Sequence, residues 1–256
     1  MASSWLSSLA SGGMKAMSHF TSSSSSNSIN TAAVASQGDQ EAFVVDDEGY
    51  QIRRYQLASL RGVTWVNDQV INYYFHLIQR QFPDVTSLGS HLYAKLAAGD
   101  MAGALRWVRR RDIFSSRVIL IAINLNNAHW TLAVVDMEMR KLSYYDSLQG
   151  EGSYDVVLQR IAGFMDQAYA AKHDGRLPDE SFATWPRSTD PNLRAKYYDN
   201  LPRQSNNNDC GVFVTQFGLC AACGIAPDFT QQDITLLRNV IMLELSQKKM
   251  LKRIHR

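Results

Sequence analysis

Asn208-Asp209-Cys210-Gly211 joins two unlike stretches: the polar loop Gln204-Ser205-Asn206-Asn207-Asn208-Asp209 and the apolar run Val212-Phe213-Val214-Thr215-Gln216-Phe217-Gly218-Leu219. A change from polar loop to apolar run marks the start of a buried helix, and Asp209 or Asn208 is of the type that caps one. Cys210 then falls in the first turn, where unpaired backbone N–H groups and the helix dipole favour a thiolate. Gly211 leaves the approach to the sulfur free of a side chain. On this stretch alone, a buried structural cysteine explains the residues equally well. The decision lies upstream.

Val118-Ile119-Leu120-Ile121-Ala122-Ile123-Asn124-Leu125 is a continuous apolar run rich in β-branched residues, the pattern of a strand covered on both faces. Trp130 to Asp136 reads as a second strand, and Met137-Glu138-Met139-Arg140 turns the chain into a third, Lys141 to Asp146. Asn127-Ala128-His129-Trp130 lies where the first strand meets the second, and Asp146 ends the third. A histidine and a carboxylate on neighbouring strand ends can meet side by side. Their separation, 146 − 129 = 17, suits a hairpin with a short turn and an overhang. With Cys210 they supply a nucleophile, a base and a group to orient the base. Each alone has an ordinary structural explanation; the three together favour a catalytic thiol.

The rest of the chain sets bounds. Its 256 residues suffice for one large core, and 45% hydrophobic with 20% charged residues is ordinary for a globular protein. A net charge of +2 carries no nucleic-acid or membrane signal. Three cysteines in this length argue against a disulfide scaffold and for a reducing compartment. No apolar run reaches the roughly 18–20 residues of a membrane-spanning helix. Residues 1–40 are Ser- and Ala-rich and are expected to be a disordered leader, with one folded domain over 41–256. Helices are expected from Trp65 to Ile78 with Asn67 as cap, over His91 to Arg111, over Tyr154 to Ala171, after Cys210, and from Gln231 to Leu251. Strands are expected around Phe182–Trp185 and over Arg194–Leu201. The triplet Arg109-Arg110-Arg111 reads as a solvated helix end, and His76 as structural. Cys220 and Cys223 form a C-x₂-C pair, but no second pair or nearby histidine completes a zinc site, so no metal or cofactor is expected.

The motifs together resemble a known family. His129-Trp130-Thr131-Leu132-Ala133-Val134-Val135-Asp136, then Tyr145-Asp146-Ser147, then Gln204 with Asn208-Asp209-Cys210-Gly211, are similar to the SUMO-specific (ULP/SENP, sentrin-specific) cysteine proteases. Trp65-Val66-Asn67-Asp68-Gln69-Val70-Ile71-Asn72 adds to the resemblance, with Val66 where the family usually has leucine. The likeness runs from about Tyr55 to Leu251. It implies an α+β, papain-like fold with a central mixed sheet flanked by helices. It implies Cys210 as nucleophile, His129 as base, Asp146 as its orienter and Gln204 as an oxyanion donor. It also implies Trp65 and Trp130 as the roof of a tunnel for a Gly-Gly tail, and Asp68 as a contact to basic groups on the modifier. Expected partners are SUMO or a related ubiquitin-like modifier and its conjugates, with no nucleic acid and no membrane, for a monomeric enzyme of nucleus or cytoplasm. Three rivals share part of this pattern: a deneddylase or deubiquitinase, a clan-related acetyltransferase, and a catalytically silent SUMO-binding module. The paired tryptophans speak against the second, and the intact Cys-His-Asp-Gln set against the third.

Overall fold

A computed structural model describes residues 40–150 and 154–251. The leader expected over 1–40 lies outside the described residues except for its last position. The ordered chain opens with a hairpin, β1 (Phe43–Asp47) and β2 (Tyr50–Arg53), paired antiparallel through a turn in which Glu48 and Gly49 both have positive φ. A short helix α1 (Arg54–Ala58) leads to α2 (Asp68–Gln81). Asn67 caps α2, its Oδ1 accepting the N–H of Gln69 at 2.8 Å, and Val70, Ile71, Tyr74, Leu77 and Ile78 are all buried along it.

Then come β3 (Val85–Ser87), α3 (His91–Ala97) and α4 (Met101–Val108). The single helical region expected over 91–111 is two helices. Gly99, at φ +75°, and Asp100 end one and start the other, and the Asp100 carboxylate accepts the N–H of Gly103 at 2.8 Å. Arg111 of the arginine triplet is not a solvated end: its guanidinium donates to the Ser87 carbonyl at 2.8 Å. The three apolar runs form β4 (Val118–Leu125), β5 (His129–Asp136) and β6 (Lys141–Tyr145). They and β3 make one sheet in the order β3-β4-β5-β6, with β3 parallel to β4 and the other pairs antiparallel. It is a mixed sheet.

After the sheet the chain forms α5 (Tyr154–Lys172), α6 (Pro191–Tyr197), α7 (Cys210–Cys223) and α8 (Ile234–Ser246). Two expected strands are corrected here. Phe182–Thr184 is a 3₁₀ turn begun by Ser181, whose hydroxyl accepts the Ala183 N–H. Arg194–Leu201 begins inside α6, which starts with proline at its first position, where the missing N–H costs nothing. The helix expected from Gln231 to Leu251 is a 3₁₀ turn over Gln231–Asp233 followed by α8, which ends at Ser246.

Consecutive residues of β4 and β5 are buried without alternation, so both faces of the sheet are covered. α7 packs on β5 and α2; α3, α4 and α5 pack on one another and on β4 and β6. Every residue of α7 from Cys210 to Cys220 is buried, so this helix runs through the core with its N-terminus at one sheet end. Gly218 permits that, since a Cβ there would stand 2.6 Å from the Phe75 ring of α2. The architecture is α+β, of papain-like type.

Candidate active site

His129 is the first residue of β5, facing Leu125 across the β4–β5 turn, and Asp146 follows the last residue of β6. The Asn126–Asn127 turn, both residues at positive φ, sets the first position; the Met137–Arg140 turn sets the second. The two side chains meet, with His129 Nε2 donating to Asp146 Oδ1 at 2.6 Å. A carboxylate only accepts, so Nε2 carries the proton and Nδ1 faces the other way. Asp146, 2% exposed, also accepts the Leu148 N–H on Oδ1 at 2.9 Å and the Gly150 N–H on Oδ2 at 3.2 Å.

Cys210 opens α7 and is buried. Cys210 bears on the His129 ring electrostatically, as Asp146 does. Burial alone would lower the histidine pKa, but the hydrogen bond to the Asp146 carboxylate, its charge and the neighbouring Cys210 sulfur outweigh it, and the pKa is raised to about 9. At neutral pH the ring is then an imidazolium set between a carboxylate and a sulfur. Such a group can hold a proton near the sulfur and pass it to a leaving group on the same side.

Asp209 does not cap α7 with its side chain. Its carboxylate is turned instead to Arg238 of α8, with Nη2 at 2.6 Å and Nε at 3.1 Å from Oδ1, and to the amides of Asn206 and Gln231. Burial would raise its pKa, yet these donors and the arginine charge hold it below the ordinary carboxylate value. The reason for Gly211 also differs from expectation. A Cβ there would meet the Val66 side chain at 2.7 Å, so the glycine makes room for the Trp65–Val66 segment to rest on the helix, rather than for an incoming group.

Gln204 is buried in the loop before Cys210. Its N–H donates to the Ser147 carbonyl at 3.0 Å, and its side-chain Oε1 accepts the Ser147 hydroxyl at 2.6 Å. That bond turns the amide NH₂ towards the cysteine loop, where one hydrogen goes to the Asn206 carbonyl and a second remains. Trp65 is 48% exposed at the mouth of a 560 Å³ cleft lined also by Tyr55, Asp68, His91, Asn127 and Trp130. Trp130 is buried, its indole N–H donating to the Val66 carbonyl at 3.2 Å. Asp68 lies in the first turn of α2, with His91 Nε2 at 3.6 Å. Among the described residues no group of three or more His, Cys, Asp or Glu could hold a metal ion, and Cys220 and Cys223 lie along α7, buried and half-buried.

Sequence reasoning passed over two residues, Ser147 and Arg238. Ser147 stands in the Tyr145-Asp146-Ser147 motif without a role. Arg238 had a signal: Ile234, Leu237, Ile241 and Leu245 make a buried helical stripe, and Arg238 lies on it. A charge on an apolar stripe needs partners.

A mixed sheet with a cysteine at the N-terminus of a buried helix, facing a strand-borne histidine, is the arrangement of papain-like cysteine peptidases. The chain belongs to the Ulp1 protease family, whose C-terminal catalytic domain matches residues 64–254. A sentrin-specific protease of Caenorhabditis elegans is 31% identical over 222 residues, which are 84% of this chain and 30% of that protein. Human sentrin-specific protease 3 is 35% identical over 195 residues, covering 76% of this chain and 31% of the relative. The chain thus spans about a third of the length of these relatives. Among solved structures, the C-terminal Ulp1 protease domain in complex with Smt3, the yeast ortholog of SUMO, superposes with TM-score 0.65 at 20% identity, over 80% of this chain and 87% of that one. The Chaetomium thermophilum Ulp1-like SUMO protease catalytic domain gives 0.62 at 25% identity, over 82% and 84%. No helix among the described residues is long and apolar enough to cross a membrane.

Proposed function

We propose that the chain is a cysteine isopeptidase that hydrolyses the bond after the C-terminal Gly-Gly of SUMO, releasing SUMO from target lysines and maturing its linear precursor. The observation that carries this is His129, bonded to buried Asp146 and acted on by Cys210 at the helix start, beside a cleft with Trp65 at its mouth. The sentrin-specific proteases among its relatives support SUMO as the modifier.

In this mechanism the Cys210 sulfur attacks the carbonyl carbon of the terminal glycine. The oxygen takes the negative charge and receives hydrogen bonds from the free Gln204 amide hydrogen and the Cys210 backbone N–H; one such donor is typically worth about 10²–10³ in rate. His129 gives its proton to the departing lysine amine as the C–N bond breaks, leaving a thioester. Water, deprotonated by His129, then attacks the thioester, the C–S bond breaks, and carboxylate and thiolate are released. Asp146 holds the ring's orientation throughout. Trp65 and Trp130 close over a tail that lacks side chains, and Asp68 meets basic groups on the modifier. The enzyme acts in the nucleus or cytoplasm, where SUMO conjugates are made.

The test is a panel of SUMO, ubiquitin and neddylation modifier, each with a C-terminal fluorogenic group. Turnover of SUMO first, lost in Cys210→Ala with binding kept, is the expected result. Preference for another modifier would move the specificity, and turnover surviving Cys210→Ala would remove Cys210 from the chemistry.

A further inference from the structure

Arg238 is 4% exposed, yet its partners belong to two loops remote from it in the chain. Besides Asp209, its Nη2 donates to the Asn208 carbonyl at 3.2 Å and to the Thr64 carbonyl at 3.0 Å, and Nη1 donates to the Ser59 carbonyl at 3.1 Å. Asn208 and Asp209 precede the cysteine; Ser59 and Thr64 bracket the turn that leads into Trp65. The Ser59 hydroxyl closes this second loop by accepting the Asn67 N–H at 3.1 Å. We propose that Arg238 is a positioning residue that holds the Trp65 loop and the Cys210 loop in one register, so that groove and nucleophile are aligned by a single guanidinium.

The chemistry suits that task. A guanidinium presents five N–H groups in a rigid planar fork, and a carboxylate on one edge fixes the plane so that the other N–H groups point in set directions. A lysine would satisfy Asp209 but could not reach all four partners from one atom. A purely stabilising arginine needs only its ion pair, whereas three of these four partners are backbone carbonyls of the two loops that frame the site. Gln231 offers the contrast: its side chain bonds Asp209 and the Ser205 N–H, so it ties only the cysteine loop.

The kinetic part of the test rests on the proposed function; the exchange part does not. In Arg238→Lys, amide hydrogen exchange should quicken in both 60–67 and 204–209, while in Gln231→Ala it should quicken in 204–209 alone. On fluorogenic SUMO, Arg238→Lys should lower kcat/KM by about 10- to 100-fold, the scale of a small misplacement of reacting groups. Combined with Trp65→Ala, its loss should be less than the product of the single losses, whereas Gln231→Ala with Trp65→Ala should be multiplicative. If Arg238→Lys does not fold, the neutral pair Arg238→Gln with Asp209→Asn removes the buried charges together and is read the same way. Quickened exchange in only one loop, multiplicative losses with Trp65→Ala, or an unchanged kcat/KM overturns the coupling. A wild-type chain inactive on every modifier would remove the functional proposal, and the exchange result would still decide the role of Arg238.

Discussion

The two halves of the site are built by different means. His129 and Asp146 stand at the ends of adjacent strands, and their spacing follows from a backbone ladder whose neighbours are buried on both faces. Cys210 lies at a helix start, but Gln204, Asn208 and Trp65 around it lie on loops, held by the side chains of Ser147, Asp209, Gln231 and Arg238. The sheet half is over-determined by its backbone ladder, which pairs β4 with β5 and β5 with β6 along their length. The loop half depends on a few polar side chains, among them the buried Asp209 and Arg238 with several partners each. Substitutions in the sheet half should therefore change chemistry with little change in fold, whereas those in the loop half should change alignment.

Asp146→Asn tests the first statement and has the largest expected effect. An asparagine offers one acceptor oxygen to three donors, His129 Nε2–H, Leu148 N–H and Gly150 N–H. If its NH₂ turns to the ring, it imposes the other tautomer and leaves the proton on the wrong nitrogen. In triads of this kind the change costs about 10⁴ in kcat. We expect a loss of that order on fluorogenic SUMO, with the fold kept and only a modest fall in melting temperature, the part owed to the lost charge beside His129. A large drop in melting temperature with turnover kept within tenfold would make Asp146 a structural residue and erase the distinction between the halves.

The second effect joins the halves, because His129 touches both. Its folded pKa of about 9 lies above its ordinary 6.5, so the folded state binds the proton more tightly than the unfolded chain. The stability this contributes is complete below pH 6.5 and is lost as the pH rises through 9. Its ceiling is on the order of 3 kcal/mol, reduced by the solvent that reaches the ring. Urea denaturation of the wild type between pH 6 and 9.5 should show a fall in stability across that window. Asp146→Asn should shrink the fall, since the amide carries no charge. An equal fall in both proteins would place its origin elsewhere in the chain.

The same contrast explains what could be read from the sequence. The strands of the sheet half declared themselves, because runs such as Val118–Ile123 are apolar at consecutive positions and rich in β-branched residues. The cap of α2 was legible in Asn67, a residue that acts on a neighbour two positions away. Arg238 was not, because it acts on carbonyls more than 170 residues distant, and any residue supplies a carbonyl. Asp209 does hold the N-cap position, as its residue type suggested, but its side chain was not legible for the same reason: a remote arginine takes the carboxylate that a local rule would give to the helix. The strand expected over Arg194–Leu201 overlooked Pro191, which at a helix start carried the better signal. Strand β3 is three residues long and, among the described residues, pairs with β4 alone, too short for any period to show.

The smallest expected effect belongs to Ser147, which stands directly between the halves. It follows Asp146, and its hydroxyl and carbonyl both bind Gln204. Ser147→Ala keeps the backbone bond and removes only the hydroxyl, so the sheet half should be untouched. What changes is the Gln204 side chain: with only the Asn206 carbonyl left to hold its NH₂, the amide can turn over and present an oxygen where the proposed mechanism needs a hydrogen. The NH₂ would then be misdirected for part of the time, and kcat should fall by about tenfold, less than the roughly 10²–10³ expected for losing the donor in Gln204→Ala. KM should hold, since the tail groove is not involved, and Ser147→Thr, which keeps a hydroxyl, should restore the rate. On a Gln204→Ala background, Ser147→Ala should have no further effect, because there is no amide left to orient. A further tenfold loss on that background would mean that Ser147 acts through Asp146, and the boundary between the two halves would have to be drawn after Ser147 instead of before it.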